Sequence, residues 1–247
     1  RVAHAQPFAY VTNQTSSNVS VINTATNAVV ATVAVGSGPL GVAVNPTATR
    51  AYIVNNGGHS VSVIDTGTNT VTATVAVGIS PYGVALNPAG TRAYVTNSIS
   101  SSVSVINTVT NTVLTTVPVG TNPQGVAVNL SGTRVYVANA SSGNVSVIDT
   151  ASDSVVATVQ VGTSPYGIAV NPDGTRVYVT NSGSNNLSVI ETATDTVLTT
   201  VSVGQSPYGV AVNPAGTRVY VANRLSIDVS VIDAGNDSVI ATVQAGS

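Results

Sequence analysis

The chain has 247 residues, of which only 6% are charged, and its formal net charge at pH 7 is −2, whereas an average domain carries roughly 25% charged residues. The absence of cysteine excludes thiolate metal sites, disulfides and cysteine nucleophiles. The few basic residues and the lack of an 18-residue apolar run predict no nucleic-acid partner and no membrane insertion.

Residues 1–7 are predicted to form an N-terminal arm, and residues 8–247 a single domain. Ala3-His4-Ala5 resembles the small-x-small end of a secretory signal. The arm is therefore interpreted either as a signal-peptide remnant or as the first inner strand of the domain.

The domain is organised by a repeat of 42 residues without any insertion. The repeat is marked by tyrosines at Tyr10, Tyr52, Tyr94, Tyr136, Tyr178 and Tyr220. A period near 40–45 residues that contains only strand-like segments is typical of a propeller blade. The sequence therefore predicts an all-β, six-bladed β-propeller with about four antiparallel strands per blade.

One repeat shows the expected strands. Residues 167–171 and 176–181 are short apolar segments joined by the turn Pro172-Asp173-Gly174, in which proline fixes φ and glycine is free to adopt a positive φ. Residues 187–191 and 196–203 follow and are rich in β-branched residues, which favour strands over helices.

The second strand of each repeat carries a recognisable motif. Tyr94-Val95-Thr96-Asn97 and Tyr178-Val179-Thr180-Asn181 resemble the signature of the YVTN β-propeller repeat family, and similarity to it extends over roughly residues 8–245. The resemblance implies a secreted, periplasmic or surface-layer propeller, a group often without a defined activity.

Most of the charged residues occupy fixed positions in the repeat. If the second and third strands form a hairpin, four arginines face an acidic residue. The pairs are Arg50–Asp65, Arg134–Asp149, Arg176–Glu191 and Arg218–Asp233. Asp153, Asp173, Asp195 and Asp237 lie in turns. No pair of acids is left for acid–base chemistry, so we expect no enzyme, no cofactor and no metal.

A ligand site is predicted at the channel mouth. The links between blades lead into the innermost strands, and their second residues are expected to ring the mouth. These residues are Leu40, Tyr82, Gln124, Tyr166 and Tyr208. An aromatic, uncharged mouth suits stacking on a sugar or a small planar ligand. The alternative is that each tyrosine packs against the next blade.

Variable loops on the same face complete this candidate site. Arg224 and Asp228 depart from the repeat template. His59 is interpreted either as a ligand contact or as a solvated loop residue. On the opposite face, formed by nearly invariant Asn-Pro-x-Gly turns, no site is expected. One of these turns ends in Ala48 instead of glycine, which predicts a strained positive φ at Ala48.

The outer edges of the blades indicate self-association. The fourth strands are predicted at residues 28–35, 70–77, 112–119, 154–161, 196–203 and 238–245, and none contains a charge. Edges are normally protected by charges, proline or bulges.

Three hypotheses on function follow. The first is a secreted or cell-surface structural and interaction propeller whose partners are itself or other surface proteins. The second is a small-ligand or glycan-binding module, and the third a propeller lyase.

Overall fold

The computed structural model describes residues 8–246, which form 23 strands and no helix. The chain divides into two compact units, residues 1–116 and 117–247. The first unit contains β1 (Phe8–Asn13), β2 (Asn18–Asn23), β3 (Ala28–Ala34), β4 (Pro39–Val44), β5 (Arg50–Asn55), β6 (Ser60–Asp65), β7 (Thr70–Ala76), β8 (Pro81–Leu86), β9 (Arg92–Asn97), β10 (Ser102–Asn107) and β11 (Thr112–Pro118), whose last two residues lie beyond the boundary.

The second unit continues with the same succession of strands. It contains β12 (Pro123–Val128), β13 (Arg134–Asn139), β14 (Asn144–Asp149), β15 (Ser154–Gln160), β16 (Pro165–Val170), β17 (Arg176–Asn181), β18 (Asn186–Glu191), β19 (Thr196–Ser202), β20 (Pro207–Val212), β21 (Arg218–Asn223), β22 (Asp228–Asp233) and β23 (Ser238–Gln244). Among residues 8–246 no helix could cross a bilayer.

Each repeat folds into one antiparallel sheet, called a blade here. β1–β3 form a three-stranded sheet, and β4–β7, β8–β11, β12–β15, β16–β19 and β20–β23 form four-stranded sheets. The predicted all-β fold with a 42-residue repeat is thus confirmed. The interpretation of residues 1–7 as an arm or a first strand lies outside the described residues.

The predicted hairpin register is also observed. Arg50 lies opposite Asp65, and Arg176 lies opposite Glu191. The turn between the first two strands of the second blade is capped by Asn45, whose side-chain oxygen accepts hydrogen bonds from the backbone N–H groups of Thr49 and Arg50, both at 2.8 Å. Ala48 in this turn has a φ of 53°, as predicted, where the other turns have glycine.

The apolar cores lie between neighbouring blades within each unit. In the second unit, Tyr178, Val189 and Val201 pack against Val219 and Ile232 of the following blade. In the first unit, Tyr10 and its neighbours pack in the same way against the second blade. Tyr10 and Tyr178 are therefore core residues, and the face that carries each of them is covered by the next blade.

The asparagine of the motif joins two neighbouring strands within each blade by hydrogen bonds. The side-chain amide of Asn181 donates hydrogen bonds to the side chains of Asn186 and Ser188 on the neighbouring strand, at 2.7 and 2.9 Å. The equivalent Asn97 is fully buried, and a Cβ at Gly78 would lie 2.6 Å from its side chain. Close packing against an asparagine side chain therefore requires glycine at this position and at the equivalent Gly36, Gly120, Gly162 and Gly204.

Candidate functional site

A β-bulge positions the residues predicted at the channel mouth. In the fifth blade the register between β16 and β17 shifts between Pro165 and Ile168, so Tyr166 and Gly167 lie outside the regular ladder. The same shift occurs at Leu40, Tyr82, Gln124 and Tyr208. Bulges redirect side chains and occur often beside functional sites.

The threonine of the motif holds the backbone at these bulges. The Thr180 hydroxyl accepts a hydrogen bond from the Gly167 N–H at 2.8 Å and donates one to the Tyr208 carbonyl of the next blade, also at 2.8 Å. Thr12 donates to the Leu40 carbonyl in the same way. A Cβ at Gly167 would collide with the Tyr208 carbonyl, so glycine is needed where one blade meets the next.

Two predicted site residues form an aromatic pair. The rings of Tyr166 and Tyr208 lie with their centroids 3.8 Å apart and their planes inclined by 36°. The guanidinium carbon of Arg224 lies 5.4 Å from the centroid of the Tyr208 ring, within the range of a cation–π interaction. Both tyrosines remain half-exposed, so the pair presents a partly open aromatic surface.

A cavity of about 270 Å³ adjoins this pair. Tyr208, Arg224, Ile227 and Asp228 all line it. Asp228 is buried and accepts a hydrogen bond from the side-chain amide of Asn223 at 2.6 Å. The two residues that depart from the repeat template thus meet one predicted aromatic residue at a single concave surface.

Ile227 adds an unusual backbone geometry to this cavity. Its φ is 57°, a conformation that β-branched residues rarely adopt. The corresponding positions carry Ser17, His59, Ser101, Gly143 and Asn185. Strained residues of this kind concentrate at functional sites.

The remaining predicted site residues have other surroundings. Leu40 and Tyr82 are half-buried in the first unit. Gln124 is buried, and its side-chain amide donates to the side-chain oxygen of Asn122 at 2.5 Å. His59 is exposed, and its Nδ1 accepts a hydrogen bond from the Ser80 N–H at 3.1 Å. Since Asn185 accepts a bond from the Ser206 N–H in the same way, the contact made by His59 belongs to the repeat.

The opposite face carries most of the charged residues that recur with the repeat, and two larger cavities. One cavity of about 470 Å³ is lined by Ala48 and Asp65, and another of about 420 Å³ by Arg176, Arg218 and Asp233. They lie at the turns where no site was expected. Among the described residues, no three His, Cys, Asp or Glu side chains are grouped in a way that could hold a metal ion.

One expected ion pair forms with a different partner. Arg176 lies opposite Glu191, but its guanidinium donates to Asp237 of the next blade at 2.9 Å and to the Ala234 carbonyl at 2.7 Å. Arg134 and Arg218 do pair with their facing acids, Asp149 and Asp233. The predicted position of Arg176 opposite Glu191 is confirmed, but the ion pair forms with Asp237, because a long arginine reaches across to the next blade.

Solved structures resemble this chain closely in fold. "Kuenenia stuttgartiensis Hydrazine Synthase" is similar with a TM-score of 0.89 and 24% identity, over 97% of this chain and 84% of that one. A functionally unknown protein from Desulfotomaculum acetoxidans DSM 771 is similar with a TM-score of 0.80 and 18% identity, over 95% of this chain and 81% of that one. At such identities the likeness shows the fold alone.

Family models match two overlapping segments of the chain. Residues 84–175 match the YNCE-like beta-propeller model, and residues 154–240 match the model described as Lactonase, 7-bladed beta-propeller. The chain is a β-propeller. Each model covers less than half of its length, and no curated protein matches it.

Two features of the propeller were not predicted from its sequence. The hydrogen bonds of Thr180 join neighbouring blades, and the strained Ile227 lines a cavity. Ile227 could have been found from the sequence, because a β-branched residue replaces the small or polar residues of the other five repeats.

Proposed function

We propose that this propeller is a non-catalytic structural and interaction protein, secreted, periplasmic or on the cell surface, as is typical of the YVTN surface-layer type. It associates with copies of itself or with other surface proteins. The outer strands carry this proposal, because they combine an open backbone edge with apolar side chains. On β15 and β19, for example, Val156 and Leu198 are exposed, and neither strand contains a charge. Edges of this kind pair readily with other chains.

The roles of the charged residues support a non-catalytic protein. Asp149 accepts hydrogen bonds from the backbone N–H groups of Ala151 and Ser152, and these turn contacts, with Arg134, lower the pKa of its carboxyl group. Asp65 is held in the same way by Thr68 and Gly67, and its pKa is also lowered. These carboxylates serve as turn caps and stay ionised, which is unsuitable for a general acid.

Composition supports a location outside the cytoplasm. The chain is rich in Ser, Thr and Asn and carries few charged residues. The low charge also leaves little electrostatic repulsion between copies.

Electron microscopy of the purified protein tests the proposal. We expect extended assemblies of the parent protein and separate particles of the double variant Thr158→Lys, Thr200→Lys, which places charges on two exposed outer strands. The control Thr158→Ser, Thr200→Ser leaves these edges uncharged and retains the assemblies. Separate particles of the parent protein would contradict the proposal.

A ligand-binding function is the second candidate. The observation in its favour is the cavity at which Arg224 lies over the Tyr208 ring and next to Asp228. An aromatic face beside a cation and a carboxylate offers stacking and hydrogen bonds to a small glycan.

A glycan array followed by thermal-shift measurements tests this second candidate. A glycan bound at the cavity raises the melting temperature of the parent protein and of Tyr82→Ala, but not of Tyr208→Ala or Arg224→Gln. Equal effects on all four proteins would place the glycan elsewhere.

A further inference from the structure

A threonine hydroxyl is missing from the turns of the sixth blade. In the second to fifth blades, the threonine after the third strand donates a hydrogen bond to a carbonyl in the first turn of the same blade. The donors are Thr66, Thr108, Thr150 and Thr192, and the acceptors are the carbonyls of Ala48, Gly90, Gly132 and Gly174, at 2.6–2.7 Å. The sixth blade has Ala234 at the donor position, so the equivalent carbonyl, that of Gly216, lacks this hydroxyl.

The missing hydroxyl also leaves a gap beside a buried tyrosine. Between the first two blades, the Thr66 hydroxyl lowers the pKa of Tyr10, against burial, which raises it. Tyr178 takes the place of Tyr10 where Ala234 takes the place of Thr66. The Tyr178 side chain is fully buried, and its hydroxyl has no hydrogen-bond partner. Burial raises the pKa of this hydroxyl despite the nearby Arg176, so it stays protonated and can donate.

Tyr178, Gly216 and Ala234 line one cavity of about 420 Å³ between the fifth and sixth blades, inside the second unit. Its wall is formed within residues 171–235, so neither end of the chain contributes to it. Small-ligand sites generally have volumes of roughly 300–1,000 Å³. The cavity is therefore large enough for a small ligand and contains a donor and an acceptor that are without the threonine hydroxyl of the other blades.

Charged groups of both signs surround this donor and acceptor. Two guanidinium groups, of Arg176 and Arg218, and two carboxylates, of Asp173 and Asp233, line the cavity, so their formal charges cancel. Hydrogen bonds from Thr175 lower the pKa of Asp173, and backbone hydrogen bonds lower that of Asp233, so both carboxylates are ionised. The balanced charge favours an uncharged ligand over an ion, and carboxylates and guanidinium groups are good partners for hydroxyl groups.

We propose that this cavity binds a small uncharged polyhydroxyl compound of the size of a monosaccharide. One ligand hydroxyl takes the place of the missing threonine hydroxyl, donating to the Gly216 carbonyl and accepting from Tyr178. The other ligand hydroxyls donate to Asp173 and Asp233 and accept from the arginines. Because the Tyr178 ring is buried, recognition depends on hydrogen bonds and not on stacking, unlike at the cavity beside Tyr208. The site lies on the face where the sequence predicted none, and it does not depend on self-association.

Saturation-transfer NMR of the parent protein with single sugars tests this inference. The probes are glucose, galactose, mannose and N-acetylglucosamine, with alanine as a small zwitterion for comparison. We expect at least one sugar to bind and its affinity to fall at least about tenfold in Ala234→Thr, because the restored hydroxyl occupies the place of the ligand hydroxyl and removes its hydrogen bonds. This variant retains the fold, since four other blades carry threonine at the same position.

A pair of tyrosine variants provides the matched control. Tyr178→Phe removes the donor in the cavity and weakens binding, whereas Tyr52→Phe leaves binding unchanged. The Tyr52 hydroxyl is likewise buried without a partner, but Tyr52 does not line this cavity. Equal losses in the two variants would point to a general effect on packing and would overturn the inference.

Three further outcomes would also overturn it. Absence of binding by every sugar would show that the cavity holds water alone. Binding of alanine without any sugar would contradict an uncharged ligand. Sugar binding that is lost in Arg224→Gln but unchanged in Ala234→Thr would place the sugar at the cavity beside Tyr208.

Discussion

Arg176 of the fifth blade forms an ion pair with Asp237 of the sixth blade at 2.9 Å. The two residues are 61 positions apart, and the neighbouring Arg134 is electrostatically coupled to Asp195 at the same spacing. The charges of this propeller thus help to join successive blades. These contacts between blades explain why the charged residues recur at regular positions in the repeat.

Removing the carboxylate of Asp195 is expected to stabilise the protein at neutral pH. Burial raises the pKa of Asp195 despite the opposing charge of Arg134, and one of its side-chain oxygens is buried without a hydrogen-bond partner. A raised pKa means that the folded state binds the proton more tightly than the unfolded state does. The resulting stabilisation is present at low pH and is lost as the pH rises through the folded-state pKa. Asp195→Asn, which matches Asn69 and Asn111 in other blades, therefore raises the melting temperature at pH 7.

The control for this prediction is Asp237→Asn. Burial also raises the pKa of Asp237, but its carboxylate binds Arg176 at 2.9 and 3.0 Å. The gain at pH 7 is therefore smaller than for Asp195→Asn. A gain from Asp195→Asn that persists below the usual pKa range of aspartate would contradict the proposed cause.

Ala48→Gly is expected to raise the free energy of unfolding by roughly 0.5–1 kcal/mol. Ala48 has a φ of 53°, and glycine relieves the strain of this left-handed conformation. Gly174→Ala is the reverse experiment, because Gly174 has a φ of 75° and a Cβ there would meet no atom within 4 Å. Chemical denaturation measures both variants, and a loss of stability in Ala48→Gly would show that strain is unimportant in this turn.

Thr180→Val is expected to lower the free energy of unfolding by about 1–3 kcal/mol. Valine fills the same volume but leaves the Gly167 N–H and the Tyr208 carbonyl without their partner at 2.8 Å. Thr200→Val, on an exposed outer strand, is the control and changes stability little. Equal losses in the two variants would refute a specific role for the threonine of the motif.

Ile227→Asn is expected to stabilise the fold by about 1 kcal/mol, since asparagine tolerates a positive φ better than a β-branched residue. Ile99→Asn replaces another exposed isoleucine of the same set of loops, one that has an ordinary φ, and brings no gain. If the cavity beside Ile227 binds a glycan, the stabilised variant also binds it more weakly. Thermal unfolding measures the effect. A higher melting temperature of Ile227→Asn supports strain at Ile227, whereas a lower one would show that the isoleucine side chain makes a favourable contact.

The repeat made the fold and the sheet register predictable from sequence. Equal spacing of the tyrosines defined the blades, and the hairpin arithmetic placed Arg50 opposite Asp65, as observed. Contacts between blades were less predictable, because they depend on the offset of one sheet against the next, which no local pattern encodes. Arg176 therefore found Asp237 and not Glu191, and the meeting of Tyr208 with Arg224 required a bulge and a loop to converge.

Sedimentation velocity of the parent protein at increasing micromolar concentration tests most directly the claim that the propeller acts through association. The account predicts species heavier than the 24.5 kDa chain whose proportion increases with concentration and decreases in the double variant Thr158→Lys, Thr200→Lys. A single species of the mass of one chain at every concentration would contradict it.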